Sequence, residues 1–160
     1  MNGSIICGVD DSESAKGAAR VARALSRELG LRVVFVRAVD DRADEKEVTT
    51  IAERLQRLTA RANSADCGAA WSVELGHPAD ALVSAAKRAG AAMIVVGSTG
   101  PRSSLLGSVS ADVSRRAPCP VVVVPPEAAG GVAGGRRNGD TPELAGGIAR
   151  FGLGLPGAER

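Results

Sequence analysis

The chain has 160 residues and a formal net charge of +2, with 44 % hydrophobic, 24 % charged and 2 % aromatic residues. This length suits a single domain with a proper core, and the small charge gives no reason to expect nucleic acid or a membrane surface as partner. With no Tyr, and only Phe35, Trp71 and Phe151 as rings, a stacking platform for single-stranded nucleic acid is excluded.

Taken in order, the chain alternates strands and helices. Ile5–Val9 is a continuous apolar run, the mark of a strand buried on both faces. Asp11 or Ser12 can cap the helix that follows, which runs to about Leu29 and is stopped by Gly30. Its apolar stripe is Ala15, Ala18, Ala19, Ala22, Leu25 and Leu29. The second strand is Arg32–Val39, rich in residues that suit a pleated surface. A helix over Glu45–Asn63 turns Val48, Ile51, Leu55 and Leu58 inward. Trp71–Leu75 alternates: Trp71, Val73 and Leu75 on one face, Ser72 and Glu74 on the other, which predicts an edge strand whose polar side is wet. Pro78 opens a third helix that ends at Gly90 and buries Ala81, Leu82, Ala85 and Ala86. Met93–Val96 and Val121–Val124 are two further apolar strands, separated by a helix from Ser108 to just before Pro118.

Five strands alternating with four helices predict an α/β fold. Right-handed crossovers give an open parallel sheet, doubly wound, of order 3-2-1-4-5 with helices on both faces. The expected domain covers residues 1–126. Residues 127–160 are crowded with Gly, offer little to bury and are expected to be a largely disordered tail.

In such a sheet a ligand sits at the carboxyl ends of the strands where the order reverses, here between the first and fourth strands. The first strand ends in Asp10, Asp11 and Ser12. The fourth ends in Gly97-Ser98-Thr99-Gly100, and Gly107-Ser108-Val109-Ser110 opens the last helix. Gly97 and Gly100 allow close backbone approach, and the helix start offers N–H groups and a positive dipole end to an anion. Ser108 and Ser110 add hydroxyls, and Arg102, Arg115 and Arg116 are nearby cations. A phosphate chain on this cradle would leave Asp10 at the nucleoside end.

Four stretches together resemble the universal stress protein family: Ile5–Ser12, Gly76–Leu82, Met93–Gly100, and Leu105–Ser110 with Ala117–Val124. The similarity spans about residues 3 to 126. It implies a regulatory or protective role and an adenine nucleotide, ATP, possible with Mg²⁺. The family's ATP-binding pattern is G-x2-G-x9-G-S/T. Gly97 and Gly100 match its first two glycines, and Gly107 and Ser108 match its final pair. Asp10 matches the acidic residue that contacts the nucleoside, and Ala38 and Val39 match the segment whose backbone recognises adenine. Here six residues separate Gly100 from Gly107, so the intervening loop is shorter than the pattern, and Pro101 has no N–H to donate. The apolar edge Val121–Val124 invites a second copy, and the resemblance implies a homodimer through that strand.

The remaining residues point elsewhere or nowhere. His77, the only histidine, reads as a solvated loop residue. No His/Cys/Asp cluster has metal-ligand spacing, and neither a G-x-S-x-G elbow nor a Walker lysine motif is present. Asp10 and Asp11, side by side, could hold Mg²⁺ on a nucleotide. Cys7, Cys67 and Cys119 are far apart and odd in number, which fits reduced thiols and a cytoplasmic protein. There is no signal-peptide pattern at the start, and no apolar run of about eighteen residues to suggest a membrane span. The expectation is therefore a non-enzymatic nucleotide binder. Its competitors are a nucleotide-free dimeric module of the same fold and a slow ATPase.

Overall fold

Valine and isoleucine runs at Ser4–Gly8 (β1), Arg32–Val39 (β2), Met93–Gly97 (β4) and Val121–Val124 (β5) form strands because branched side chains pack well on a pleat covered on both sides. With Ala69–Leu75 (β3) they make one parallel sheet of order β3-β2-β1-β4-β5. This is the predicted order. The computed structural model describes residues 3–63, 68–98 and 107–126. The predicted tail, Cys67, Gly100 and the short loop to Leu106 lie outside the described residues.

Helices α1 (Glu13–Leu29) and α2 (Glu45–Asn63) cover one face; α3 (Pro78–Ala89) and α4 (Ser108–Arg116) cover the other. The first core sets Ala18, Ala19 and Ala22 of α1 and Ile51 and Leu55 of α2 against Ile5, Val33 and Phe35. The second sets Leu82, Ala85 and Ala86 of α3 and Val113 of α4 against Ile6, Val36, Ile94 and Val96. Alanine-rich helix faces let both layers come close to the sheet, which suits a chain with so few rings.

Local signals in the sequence fix most helix ends. Gly30 and Gly90 both adopt the left-handed conformation (φ 64° and 54°) and return their N–H groups to carbonyls of the last turn. Ser12, not Asp11, caps α1, its hydroxyl accepting from the Ala15 N–H at 3.2 Å.

Two expectations are corrected. Leu29 does not join the apolar stripe of α1: it is 43 % exposed, and Leu31, two residues later, packs into the core instead. The wet side of β3 is also not the polar one. Trp71 and Leu75 are 40 % and 66 % exposed, whereas Ser72 and Glu74 are half-buried. The reason is tertiary. Of the three odd residues Val73 packs into the α1/α2 core, while on the opposite face Arg88 of α3 reaches over to Glu74.

Candidate functional site

Where the strand order reverses, the connections leaving β1 and β4 run to opposite faces and open a crevice. A cavity of about 270 Å³ occupies it. Its floor is the ends of the central strands: Gly8 and Val9, Val36 to Ala38, Val96 and Gly97. Pro78 and Leu82 of α3 and Val109 of α4 form one wall, and Ser12, Ser14 and Ala15 form the other.

Asp10 builds the turn from β1 into α1. Its carboxylate accepts the Ser12 N–H at 2.8 Å and the Ser12 hydroxyl, a side-chain turn that bends the backbone. Ser12 Oγ also lies 3.1 Å from Ser14 Oγ. A row of polar oxygens therefore runs from Asp10 into the cavity. Asp11 turns the other way and pairs with Arg54 of α2 at 3.1 Å and Arg37 of β2 at 3.4 Å. The adjacent carboxylates diverge, so they do not form the joint Mg²⁺ site that their spacing in sequence suggests.

Two glycines set the cavity's shape. A Cβ on Gly97 would stand 2.6 Å from the Ser14 carbonyl carbon, inside the backbone of α1. Gly97 is thus required first of all by helix–strand packing, not by a ligand. A Cβ on Gly8 would meet Leu82 Cδ1 at 3.0 Å, so Gly8 keeps the cavity open.

Three helices begin around the crevice, and their caps differ. Ser12 caps α1, and His77 caps α3 by accepting the Ala79 N–H on Nδ1 at 3.3 Å. His77 is exposed as expected, yet it has this structural task. Gly107 precedes α4 and offers no side-chain cap. The first N–H groups of α4 are therefore the ones left for an anion.

The cavity brings together Asp10, Ala38, Gly97 and Val109 of the predicted residues. Gly107 and Ser108 stand at the start of α4 without lining it, and Gly100 lies outside the described residues. Val39 is buried in the α1/α2 core, and its carbonyl accepts the Gly76 N–H at 2.8 Å. Ser110 is buried, and its hydroxyl donates to the Gly107 carbonyl at 3.0 Å. Neither points into the cavity, because each satisfies a backbone group elsewhere. Sequence reasoning missed Ser14, Gly8, Leu82 and Val36. The serine repeat Ser12-x-Ser14 directly after Asp10 was the available signal for Ser14.

Charge at the far end of α4 is neutralised internally. Arg115 pairs with Asp112 at 2.6 Å, and Arg116 bridges Asp112 to Asp80 of α3. Hydrogen bonding from Arg115 holds the Asp112 carboxyl below the usual range, and the bond to Asp80 holds the Arg116 guanidinium above its own. These two arginines tie α3 to α4 instead of facing the crevice. Burial pushes the Cys7 thiol far up, so it stays protonated and packs as a small apolar group. Among the described residues no group of three His, Cys, Asp or Glu side chains is placed to hold a metal ion.

The family model described as "Universal stress protein family" matches residues 1–125. The chain belongs to the universal stress protein family. A family member from Thermus aquaticus, the universal stress protein in the QAH/OAS sulfhydrylase 3′ region, is 35 % identical over 132 residues, 75 % of this chain and 96 % of that protein. The universal stress protein from Archaeoglobus fulgidus in complex with dAMP is 26 % identical with a TM-score of 0.61, over 78 % of this chain and 99 % of that one. A universal stress protein in complex with cAMP is 25 % identical with a TM-score of 0.64, over 76 % and 96 %.

Proposed function

We propose that this universal stress protein is a regulatory, non-enzymatic protein of the cytoplasm that binds an adenine nucleotide, ATP, in the crevice between β1 and β4. The observation that carries this reading is the uncapped start of α4 beside a glycine-floored cavity, with the Asp10 carboxylate across from it. Phosphate oxygens would take the N–H groups at the start of α4. The nucleoside would lie over Gly8 and Val36 toward Ala38, within reach of Asp10 and Ser14. The dAMP and cAMP complexes of the two relatives support an adenine ligand. Among the described lining residues the one carboxylate, Asp10, is engaged by the Ser12 N–H and hydroxyl, and on this reading the nucleotide acts by shifting the populations of open and closed crevice. Among the described residues no helix is long and apolar enough to cross a membrane.

We infer that the functional unit is a homodimer through β5. Ile94 N–H donates to the Pro120 carbonyl and Ser98 N–H to the Val124 carbonyl. In a parallel ladder this alternation turns the N–H and C=O groups of Val121 and Val123 outward. An apolar edge strand with outward backbone groups is a template for a second copy.

Calorimetric titration of ATP, ADP, AMP and cAMP, each with Mg²⁺, tests the nucleotide. Saturable binding of ATP is expected, abolished by Gly8→Val, which fills the floor beside Leu82 while circular dichroism stays unchanged. No binding of any of the four would overturn the reading in favour of a nucleotide-free module. Phosphate release that Gly8→Val abolishes would establish the ATPase instead.

A further inference from the structure

The nucleotide reading leaves one long margin of the sheet unused. β3 is an edge strand, and bonds at both ends fix which way its backbone groups point. Val33 N–H donates to the Gly68 carbonyl at 2.9 Å, and Gly76 N–H donates to the Val39 carbonyl at 2.8 Å. In a parallel ladder the even residues of β3 therefore face β2, and the N–H and C=O groups of Ala69, Trp71, Val73 and Leu75 point outward. Asn63, at the end of α2, plugs the first of these: its side chain donates to the Ala69 carbonyl at 3.3 Å and accepts the Ala69 N–H at 2.7 Å. Past the plug the edge is open. Among the described residues no group bonds the outward N–H and C=O of Trp71, Val73 and Leu75. The side chains of Trp71 and Leu75 are exposed as well.

The chain carries a segment of matching pattern. Ala149-Arg150-Phe151-Gly152-Leu153-Gly154-Leu155 is apolar at every second position, the period of a strand with one apolar face, and Pro156 ends it. The segment lies outside the described residues. Its tether reaches the edge. β3 and β5 run parallel and so end at the same side of the sheet. From β5 to a strand added beyond β3 is roughly 24 Å, at about 4.8 Å per strand. Residues 127–148 can extend to about 70 Å. A chain arriving at the carboxyl end of β3 runs antiparallel to it.

We propose that Ala149–Leu155 adds to the open edge of β3 as an antiparallel strand. Phe151, Leu153 and Leu155 would stand opposite Leu75, Val73 and Trp71 on one face, as stabilising cross-strand apolar pairs. Gly152 and Gly154 then fall opposite Glu74 and Ser72, where the absence of a side chain leaves the Glu74–Arg88 pair undisturbed. Arg150 falls opposite Gly76, whose Cβ position lies 4.0 Å from Asp41 Oδ1, so its charge is complemented. Pro156 falls opposite Ala70, a place where the ladder asks no N–H of the added strand, and the Asn63 plug closes the ladder one residue further on. A segment tethered to its own edge has a high effective concentration, which favours it over a second copy or a free peptide. Covering the edge also removes a template for aggregation. The proposal needs neither the nucleotide crevice nor the pairing at β5.

The test is amide hydrogen exchange of the full-length protein, followed in ¹H–¹⁵N spectra, for the wild type and for Phe151→Asp combined with Leu153→Asp. Both substitutions leave every residue of the sheet and its helices in place. The amides of Trp71, Val73 and Leu75 are expected to be protected in the wild type. In the double variant they are expected to exchange about tenfold faster, the loss of roughly one net hydrogen bond, while Ile5 and Val95 in the central strands stay unchanged. Arg150→Glu is expected to accelerate the same three amides by a smaller factor. Equal exchange of the three amides in wild type and double variant overturns the proposal. So does a loss of protection centred on Val121 and Val123, which would put the segment on β5. Protection that rises with protein concentration overturns it too, since a second copy would then occupy β3.

Discussion

Gly97 illustrates how one hydrogen atom sets the position of a helix. Its missing Cβ lets the backbone of β4 touch the first turn of α1 at Ser14. Gly97→Ala is expected to destabilise the protein by about 1–3 kcal/mol through overpacking, with or without nucleotide, and urea unfolding measures it. An unchanged midpoint would mean that the contact is not tight. His77 makes a milder case: His77→Ala removes the cap of α3 and is expected to cost about 1 kcal/mol, with recovery in His77→Asn. Asp10 and Gly97 were legible as site residues because a strand end with an acid or a glycine is a local signal. Val39 and Ser110 were not, because the groups that engage them, the Gly76 N–H and the Gly107 carbonyl, are placed there by turns whose geometry no spacing reveals.

Among the elements, α4 depends most on charge. It has nine residues and buries only Ser110 and Val113, so its link to α3 through Asp112, Arg116 and Asp80 matters. Asp112 has a lowered pKa when folded. Its contribution is therefore fully present above the ordinary carboxylate pKa and is lost as pH falls through the lower folded value. Asp112→Asn is expected to flatten this acid-side loss of stability, measurable by thermal melts across the acid range; an unchanged acid limb would show that the bridge is inert. For β5, Val123→Pro removes an outward N–H and leaves the ladder to β4 intact, as proline at an edge permits. The expected outcome is a monomer in sedimentation at equilibrium; a persistent dimer would place the interface elsewhere. The strands themselves were legible from their Val and Ile runs, and the helix ends from Gly30 and Gly90. The exposure of β3 was not, because alternation tells which residues share a face but not which face a helix covers.

At the scale of the molecule, the reversal of strand order opens a crevice between the two layers, walled by Pro78, Leu82 and Val109 on one side and by Ser12, Ser14 and Ala15 on the other. Binding to the native state alone raises stability with ligand concentration, by about 2.7 kcal/mol at a hundredfold excess over Kd. ATP is accordingly expected to raise the unfolding temperature of the native protein and to leave Gly8→Val unmoved, with scanning calorimetry as the check. An equal rise in both would place the nucleotide outside the crevice.

The exposed Trp71 on β3 has a practical consequence. With one Trp and no Tyr in the chain, ultraviolet emission arises almost wholly from this single indole. It sits on the sheet edge opposite β5 and outside the lining of the crevice. The protein thus carries a built-in optical probe of one margin. Quenching by a soluble collider reads the solvent contact of β3, and a spectral shift during unfolding times the release of that margin from α2.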